Sequence, residues 1–358
     1  MRTLTLRELN RATLERQLLL RPRRLSVTQA VERVAGLQAQ WPPSPYIGLW
    51  TRLDGFRAES LVRAVARRQV VKATLMRTTL HLVTARDYLA CAGLYRASRI
   101  RELERQVAAL GESTDFAGEG ERLAAFAAEQ PRSRPELLAL LGLPRLTIEE
   151  RTPWLLWYGL SAYAGLVHGP DASAWRWHTG RSSYVHARTW LGADGESGDG
   201  AAAHLARRYL AAFGPASRAD VAQWSGLARV HVADGLAGLQ LRCFVDEHGR
   251  ELYDLPRAPL PSAATAAPVR FLPRFDNLVL SHADRRRVVS DEHRALIIEG
   301  GEVRPTFLVD GFVAGIWNLE KGRVRLEPFD SLSRSVRREL TEEASRLEAF
   351  VRASGGSP

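Results

Sequence analysis

Two glutamines separated by one apolar residue, Gln38 and Gln40 in Gly36-Leu37-Gln38-Ala39-Gln40-Trp41-Pro42-Pro43, stand where a predicted helix gives way to a double proline. Pro42 and Pro43 end any helix, and Pro42 pushes Trp41 toward extended geometry. In an extended backbone alternate side chains point the same way, so both amides address one small target. On a continuous helix they would diverge by about 200°. Each amide donates and accepts hydrogen bonds without carrying charge, so the pair can position a water molecule. Taken locally, the same two side chains also suit the capping of a helix end.

Other stretches share the character of this one: Leu49-Trp50-Thr51-Arg52-Leu53, Met76-Arg77-Thr78-Thr79-Leu80-His81-Leu82-Val83 and, far downstream, Leu272-Pro273-Arg274-Phe275-Asp276-Asn277-Leu278-Val279-Leu280. With the glutamine segment they resemble the AlkZ/YcaQ-type DNA glycosylases over most of the chain. These are winged-helix proteins that excise N-alkylated purines, including purines joined in interstrand crosslinks. The resemblance implies that the Gln-apolar-Gln triplet is catalytic. The YcaQ-like branch has Asp in place of the second Gln, so Gln40 puts the chain with the AlkZ-like branch. Thr78 departs from the pattern, because many relatives have Gly there.

Hydrolysis of an N-glycosidic bond passes through a transition state with oxocarbenium character at C1′, so an enzyme must stabilise positive charge, position water and let the base leave. A purine alkylated at N7 or N3 already carries a positive charge and leaves without a general acid. Neutral amides then suffice, which restricts the expected substrates to N7-alkylguanine and N3-alkyladenine, simple or crosslinked. A protein of this kind would also give self-resistance to a DNA-alkylating natural product. Gln38 and Gln40 are expected to hold the attacking water by their carbonyl oxygens, with their NH2 groups anchored by neighbours. Arg77 and His81 are candidates for contact with the lesion strand or for one polar face of a surface strand. Asp276 and Asn277 are candidates for DNA contact or a turn, and Arg285-Arg286-Arg287 for a phosphate clamp or a solvated face. Trp175 and Trp177 suit strand packing or base stacking.

These residues need elements to position them. Linkers rich in Gly, Ser, Asp or Pro over 111–120, 191–200 and 256–268 divide the chain into expected units at 1–110, 121–190, 201–256 and 268–358. Ser133-Arg134-Pro135-Glu136 and Ser217-Arg218-Ala219-Asp220 echo each other as N-cap Ser followed by an acidic residue at the third helical position, each opening a short helix that Gly142 or Gly226 closes. After the second echo come a helix over 229–239 and strands over 240–245 and 250–255 about the turn Asp246-Glu247-His248-Gly249. After the first come a helix over 153–166 and strands over 166–168 and 174–179. A looser copy has helices over 26–36 and 59–68 and strands over 70–76 and 79–83. The fold expected is α+β: tandem winged-helix units, three in number, followed by a mostly antiparallel β region over 269–328 and a closing helix over 333–353.

Composition narrows the function further. Over 358 residues the formal net charge is +10 and the pI about 10.2, which points to a polyanionic partner; the resemblance implies that this partner is double-stranded DNA. Lys72 and Lys321 are the only lysines, so the positive charge is carried by Arg, whose bidentate fork suits phosphate. Cys91 and Cys243 stand far apart with no Cys/His cluster, which argues against structural zinc and a disulfide scaffold. The amino terminus does not read as a secretion signal, and the apolar run from Trp154 to Val167 is too short to span a bilayer. No P-loop, dinucleotide fingerprint or HExxH motif occurs. A cytoplasmic monomer needing no cofactor or metal is expected. A non-catalytic winged-helix regulator, or a scaffold protein, stays open beside the glycosylase.

Overall fold

The computed structural model describes residues 1–112, 114–141, 153–173, 182–193, 195, 198 and 200–355. Strand β1 (Arg2–Leu4) leads into α1 (Leu6–Arg16), which a Thr5–Glu8 capping box starts. The glutamine-bearing unit follows as α2 (Val27–Arg33), β2 (Leu37–Gln38), α3 (Ser44–Trp50), α4 (Ala58–Ala66) and the hairpin β3 (Val70–Thr74) and β4 (Leu80–Thr84). Its sheet order is β2-β4-β3. The long α5 (Ala85–Ala109) leads to α6 (Phe116–Glu129), β5 (Arg132–Ser133), α7 (Arg134–Leu140), α8 (Pro153–Tyr163), β6 (Leu166–His168), β7 (Ser183–His186) and α9 (Ala187–Leu191). This sheet is ordered β5-β7-β6, so its short first strand also pairs with the last. The expected strand over 174–179 lies outside the described residues. The observed partner of β6 is β7, nearer the linker.

The order recurs in α10 (Ala201–Phe213), α11 (Arg218–Ser225), α12 (Arg229–Ala237), β8 (Arg242–Asp246) and β9 (Glu251–Asp254), with a single bridge from Ala216 to Tyr253 standing for the first strand. Capping boxes at Ser26–Gln29, Ser133–Glu136 and Ser217–Asp220 start the equivalent helices α2, α7 and α11. One element crosses the expected boundaries. Residues 2–4, placed by sequence with the first unit, pair in parallel with β8 (Arg2↔Phe244), so β1 extends the sheet of the last unit. A three-residue strand cannot stand alone and takes the edge that is open to it.

The carboxy-terminal part contains β10 (Arg270–Leu272), α13 (Asn277–Leu280), α14 (Asp291–Ile297), β11 (Ile298–Glu299), β12 (Glu302–Val303), β13 (Thr306–Val309), β14 (Phe312–Glu320), β15 (Arg323–Pro328) and α15 (Arg334–Ala353). Its four-stranded antiparallel sheet, ordered β10-β13-β14-β15, turns at Asp310-Gly311 between β13 and β14. Phe271, Phe307 and Trp317 of this sheet bury against Leu340, Leu347 and Val351 of α15 and against Ile47 of α3. The β region is therefore packed onto the glutamine-bearing unit. Part of the arginine excess serves the interior: Arg16 binds Asp254 through two hydrogen bonds of 2.7 and 2.9 Å, both side chains fully buried. Among the described residues, no helix is long and apolar enough to cross a membrane.

Candidate active site

α2 ends at Arg33, before the glutamines, and the chain then passes through two left-handed residues, Ala35 and Gly36. Gly36 has φ +87°, and a Cβ there would stand 2.9 Å from Val83 Cγ1, so neither the turn nor the approach to β4 admits a side chain. The glutamines are thus not at a helix end. Leu37 pairs with Leu82 and Gln38 with His81, and the Ala39 amide donates to Leu80 O at 2.7 Å, so the extended ladder runs through the triplet. Leu37 and Ala39 bury in one apolar cluster, which leaves Gln38 and Gln40 on the opposite face. Gln38 is buried and Gln40 exposed.

The anchoring of the two amides reverses the expectation. Leu80 N–H donates to Gln40 Oε1 at 3.2 Å, and Arg77 donates to Gln38 Oε1 at 3.0 Å. Both partners are donors only, so chemistry fixes the oxygens toward them, and the carbonyls rather than the NH2 groups are held. Each oxygen keeps a second lone pair. Gln40 acts here as a substitute for backbone: β2 is stopped by Pro42, and the side-chain oxygen satisfies the next ladder N–H.

Arg77 is held at the centre of the site. Besides Gln38 it donates to Trp224 O at 2.7 Å and Asn277 Oδ1 at 3.2 Å, while Asn277 Nδ2 donates to Gly36 O at 3.2 Å. A single guanidinium therefore ties β2 to α11 and α13, and Asn277 closes the ring back to the start of the glutamine motif. These partners are all neutral. Burial pulls the Arg77 pKa down to about 10, and Arg285 nearby acts in the same direction. Arg77 and Thr78 occupy the left-handed region at φ 50° and 60°. Gly fits such a position without cost, which gives the glycine of many relatives a physical reason; the β-branched Thr78 is strained there. Gly226 supports the same turn, for a Cβ on it would meet Arg77 N at 3.0 Å.

The remaining candidates part company. His81 does not face solvent: it is fully buried, its Nδ1 donates to Thr79 O at 3.0 Å, and burial reinforced by Arg77 pushes its pKa down to about 3. It stays neutral at physiological pH and offers no proton. Asp276 is likewise internal. It accepts two hydrogen bonds of 2.9 Å from Arg52, both side chains buried, and caps α13 through Leu278 N. The arginine run is divided by its surroundings. Arg287 is buried, donating to Pro215 O at 2.9 Å, and Arg286 pairs with Asp284 at 2.7 Å, so neither is free to clamp phosphate. Arg285 is half-buried beside Arg77, with no carboxylate partner among the described residues. Trp175 and Trp177 lie outside the described residues.

Sequence reasoning passed over Arg52, Trp224 and Gly226, which hold the site from outside the motif. The Leu49–Leu53 stretch was a signal for Arg52, and the helix-closing Gly226 for its neighbour. Among the described residues, no group of three or more His, Cys, Asp and Glu is arranged to hold a metal ion.

Comparison with known proteins gives concordant results. The family described as DNA glycosylase AlkZ-like matches residues 31–350. An interstrand DNA cross-link repair glycosylase of Streptomyces sahachiroi is 28% identical over 366 residues, spanning 93% of this chain and 92% of its own. The solved structure of the Streptomyces sahachiroi DNA glycosylase AlkZ superposes with a TM-score of 0.79 at 23% identity, covering 99% of this chain and 98% of that one, a likeness of fold.

Proposed function

The chain belongs to the AlkZ-like DNA glycosylase family and is a DNA glycosylase, and from that premise we propose that it hydrolyses the N-glycosidic bond of cationic N-alkylated purines, N7-alkylguanine and N3-alkyladenine, in double-stranded DNA. The same reaction unhooks purines held in interstrand crosslinks, and in a producer of a DNA-alkylating compound it gives self-resistance. The observation that carries the reading is the neutrality of the site: Gln38 and Gln40 on one strand face, a histidine that stays uncharged, and a guanidinium with neutral partners. Nothing in this set protonates a leaving base.

Water sits between the second lone pairs of the Gln38 and Gln40 carbonyl oxygens, with its own lone pair toward C1′. A C1′–O bond forms as the C1′–N bond breaks, and the departing base keeps the bonding electrons, which neutralise its ring. The proton is released to solvent, because an amide is too weak a base to keep it. Arg77 and Arg285 bind the phosphate that flanks the lesion, which supplies the countercharge their surroundings lack. The reaction is monofunctional. Lys72 pairs with Leu82, on the opposite sheet face from the row Gln38-His81-Ala73, and Lys321 lies in the exposed turn after β14, so neither lysine amine reaches the abasic sugar.

A crosslinked purine is tethered against flipping out of the duplex, so the water must reach C1′ with the base still stacked. C1′ faces the minor groove, opposite an N7 adduct, and the glutamines approach from that side. The test is release of base from duplexes carrying N7-alkylguanines of increasing bulk, measured beside N3-methyladenine. Excision is expected to tolerate N7 bulk. A steep fall in rate with adduct size overturns the minor-groove approach, and no release from any of these duplexes overturns the substrate class.

Backbone contact adds a second expectation. A groove of about 1020 Å³ between α2 and α10 presents Arg33, Arg207 and Arg257, all exposed. Log affinity for DNA is expected to fall with log salt at a slope near −0.9 per phosphate neutralised, as read from a salt titration of duplex binding. A flat response removes the phosphate contacts.

A further inference from the structure

Large apolar side chains that stand in water call for a reason when they gather on equivalent elements. Those recorded as exposed among the described residues are Met1, Leu6, Val62, Trp154, Val230 and Leu296. Three of the six lie on α4, α8 and α12, the helices that precede the hairpin in the three repeated units. Trp154 is the one aromatic in the set, at 59% exposure.

Its support is rigid and leads to the catalytic turn. Leu155, Leu156 and Leu160 of α8 bury in a core cluster against which Trp157 and Tyr158 also pack, while Trp154, one turn before Tyr158, faces solvent. The two rings meet edge to face, with centroids 5.6 Å apart. Tyr158 is fixed in turn: the buried Arg99 guanidinium lies 4.4 Å from its ring centroid and donates to Tyr158 O and Ser161 Oγ at 2.5 and 2.6 Å. The Tyr158 phenol lies beside the side chain of Thr78, the residue after Arg77. A solvent-facing indole is thereby linked, through one ring and one strained turn, to the guanidinium that holds Gln38.

We infer that Trp154 is a DNA-stacking residue, whose indole face lodges against a nucleobase beside the lesion and fixes the register of the duplex over Gln38 and Gln40. The inference rests on the glycosylase reading above. An indole stacks on any base, since every base has a π-face, and apolar side chains wedged in from the minor groove unstack base steps. Partial insertion at the neighbouring step would open the groove at C1′ without extruding the damaged base.

The experiment uses the full chain and a duplex with one N7-methylguanine flanked by 2-aminopurine, whose fluorescence rises on unstacking. Wild type is expected to raise the signal. Trp154→Ala loses that rise and about tenfold in affinity, while Trp154→Phe retains most of both; because the side chain is mainly in solvent, the fold should tolerate either change. Equal binding and signal in wild type and Trp154→Ala overturn the inference, as does a loss that phenylalanine fails to restore. Release of methylguanine from the same duplex separates the two readings. Wild type that unstacks 2-aminopurine but releases no base would count against the substrate assignment and leave the stacking role standing.

Discussion

Replacing Gln38 or Gln40 by alanine is expected to lower single-turnover excision of N7-methylguanine by at least about tenfold, roughly 1.4 kcal/mol of transition-state stabilisation, while DNA affinity stays within a few-fold. Gln38→Ala should be the more damaging. It removes a water ligand and one of the three neutral partners of Arg77, so the turn that carries Arg77 loses its register with β2. Gln40→Ala leaves Leu80 N–H without its acceptor, but at an exposed strand end where solvent can replace it. Gln40→Asp should retain more activity than Gln40→Ala, because a carboxylate oxygen still accepts from Leu80 N–H and still has lone pairs for water. Undiminished excision in both alanine variants would reduce the pair to a strand terminus.

Asp276→Asn is expected to cost about 3–5 kcal/mol of stability, because it leaves the Arg52 guanidinium buried without its counter-ion. Denaturant unfolding measures this as a fall in midpoint at unchanged slope. The loss should extend to catalysis, since Asp276 starts the helix whose first residue, Asn277, bridges Gly36 to Arg77. A double replacement, Arg52→Met with Asp276→Leu, should recover much of the stability while excision stays low, because the apolar pair fills the space but cannot cap α13. If Asp276→Asn unfolds like wild type, the pair is not what joins the carboxy-terminal region to the site.

The repeated units were legible because their signals are local. Ser26, Ser133 and Ser217 each cap a helix with a partner three residues on, and the Asp246–Gly249 turn closes a hairpin at the expected place. Extended geometry at the glutamines followed from two prolines and from strand alternation. The regulator and scaffold readings open at that level fall with membership of a glycosylase family. Thr78 shows the limit of such reading: its departure from glycine is visible in the chain, but the left-handed φ that explains it appears only in the folded turn.

The chain by itself determined which residues could do the chemistry, since residue type and near-neighbour spacing decide what Gln38 and Gln40 can bond and how they point. Tertiary structure alone decided which charges are available. Asp276, His81 and Arg287 read as surface ligands because they are polar and stand in motifs, yet all three are buried, Asp276 and Arg287 against groups far away in sequence and His81 inside the sheet beneath them. Arg77 reads as a candidate for contact with the lesion strand or as part of a polar strand face, and becomes the centre of the site because Trp224 and Asn277, 147 and 200 positions away, fold onto it. Burial and long-range partners set the free energy of a charge, and neither is a property of the residues beside it in the chain.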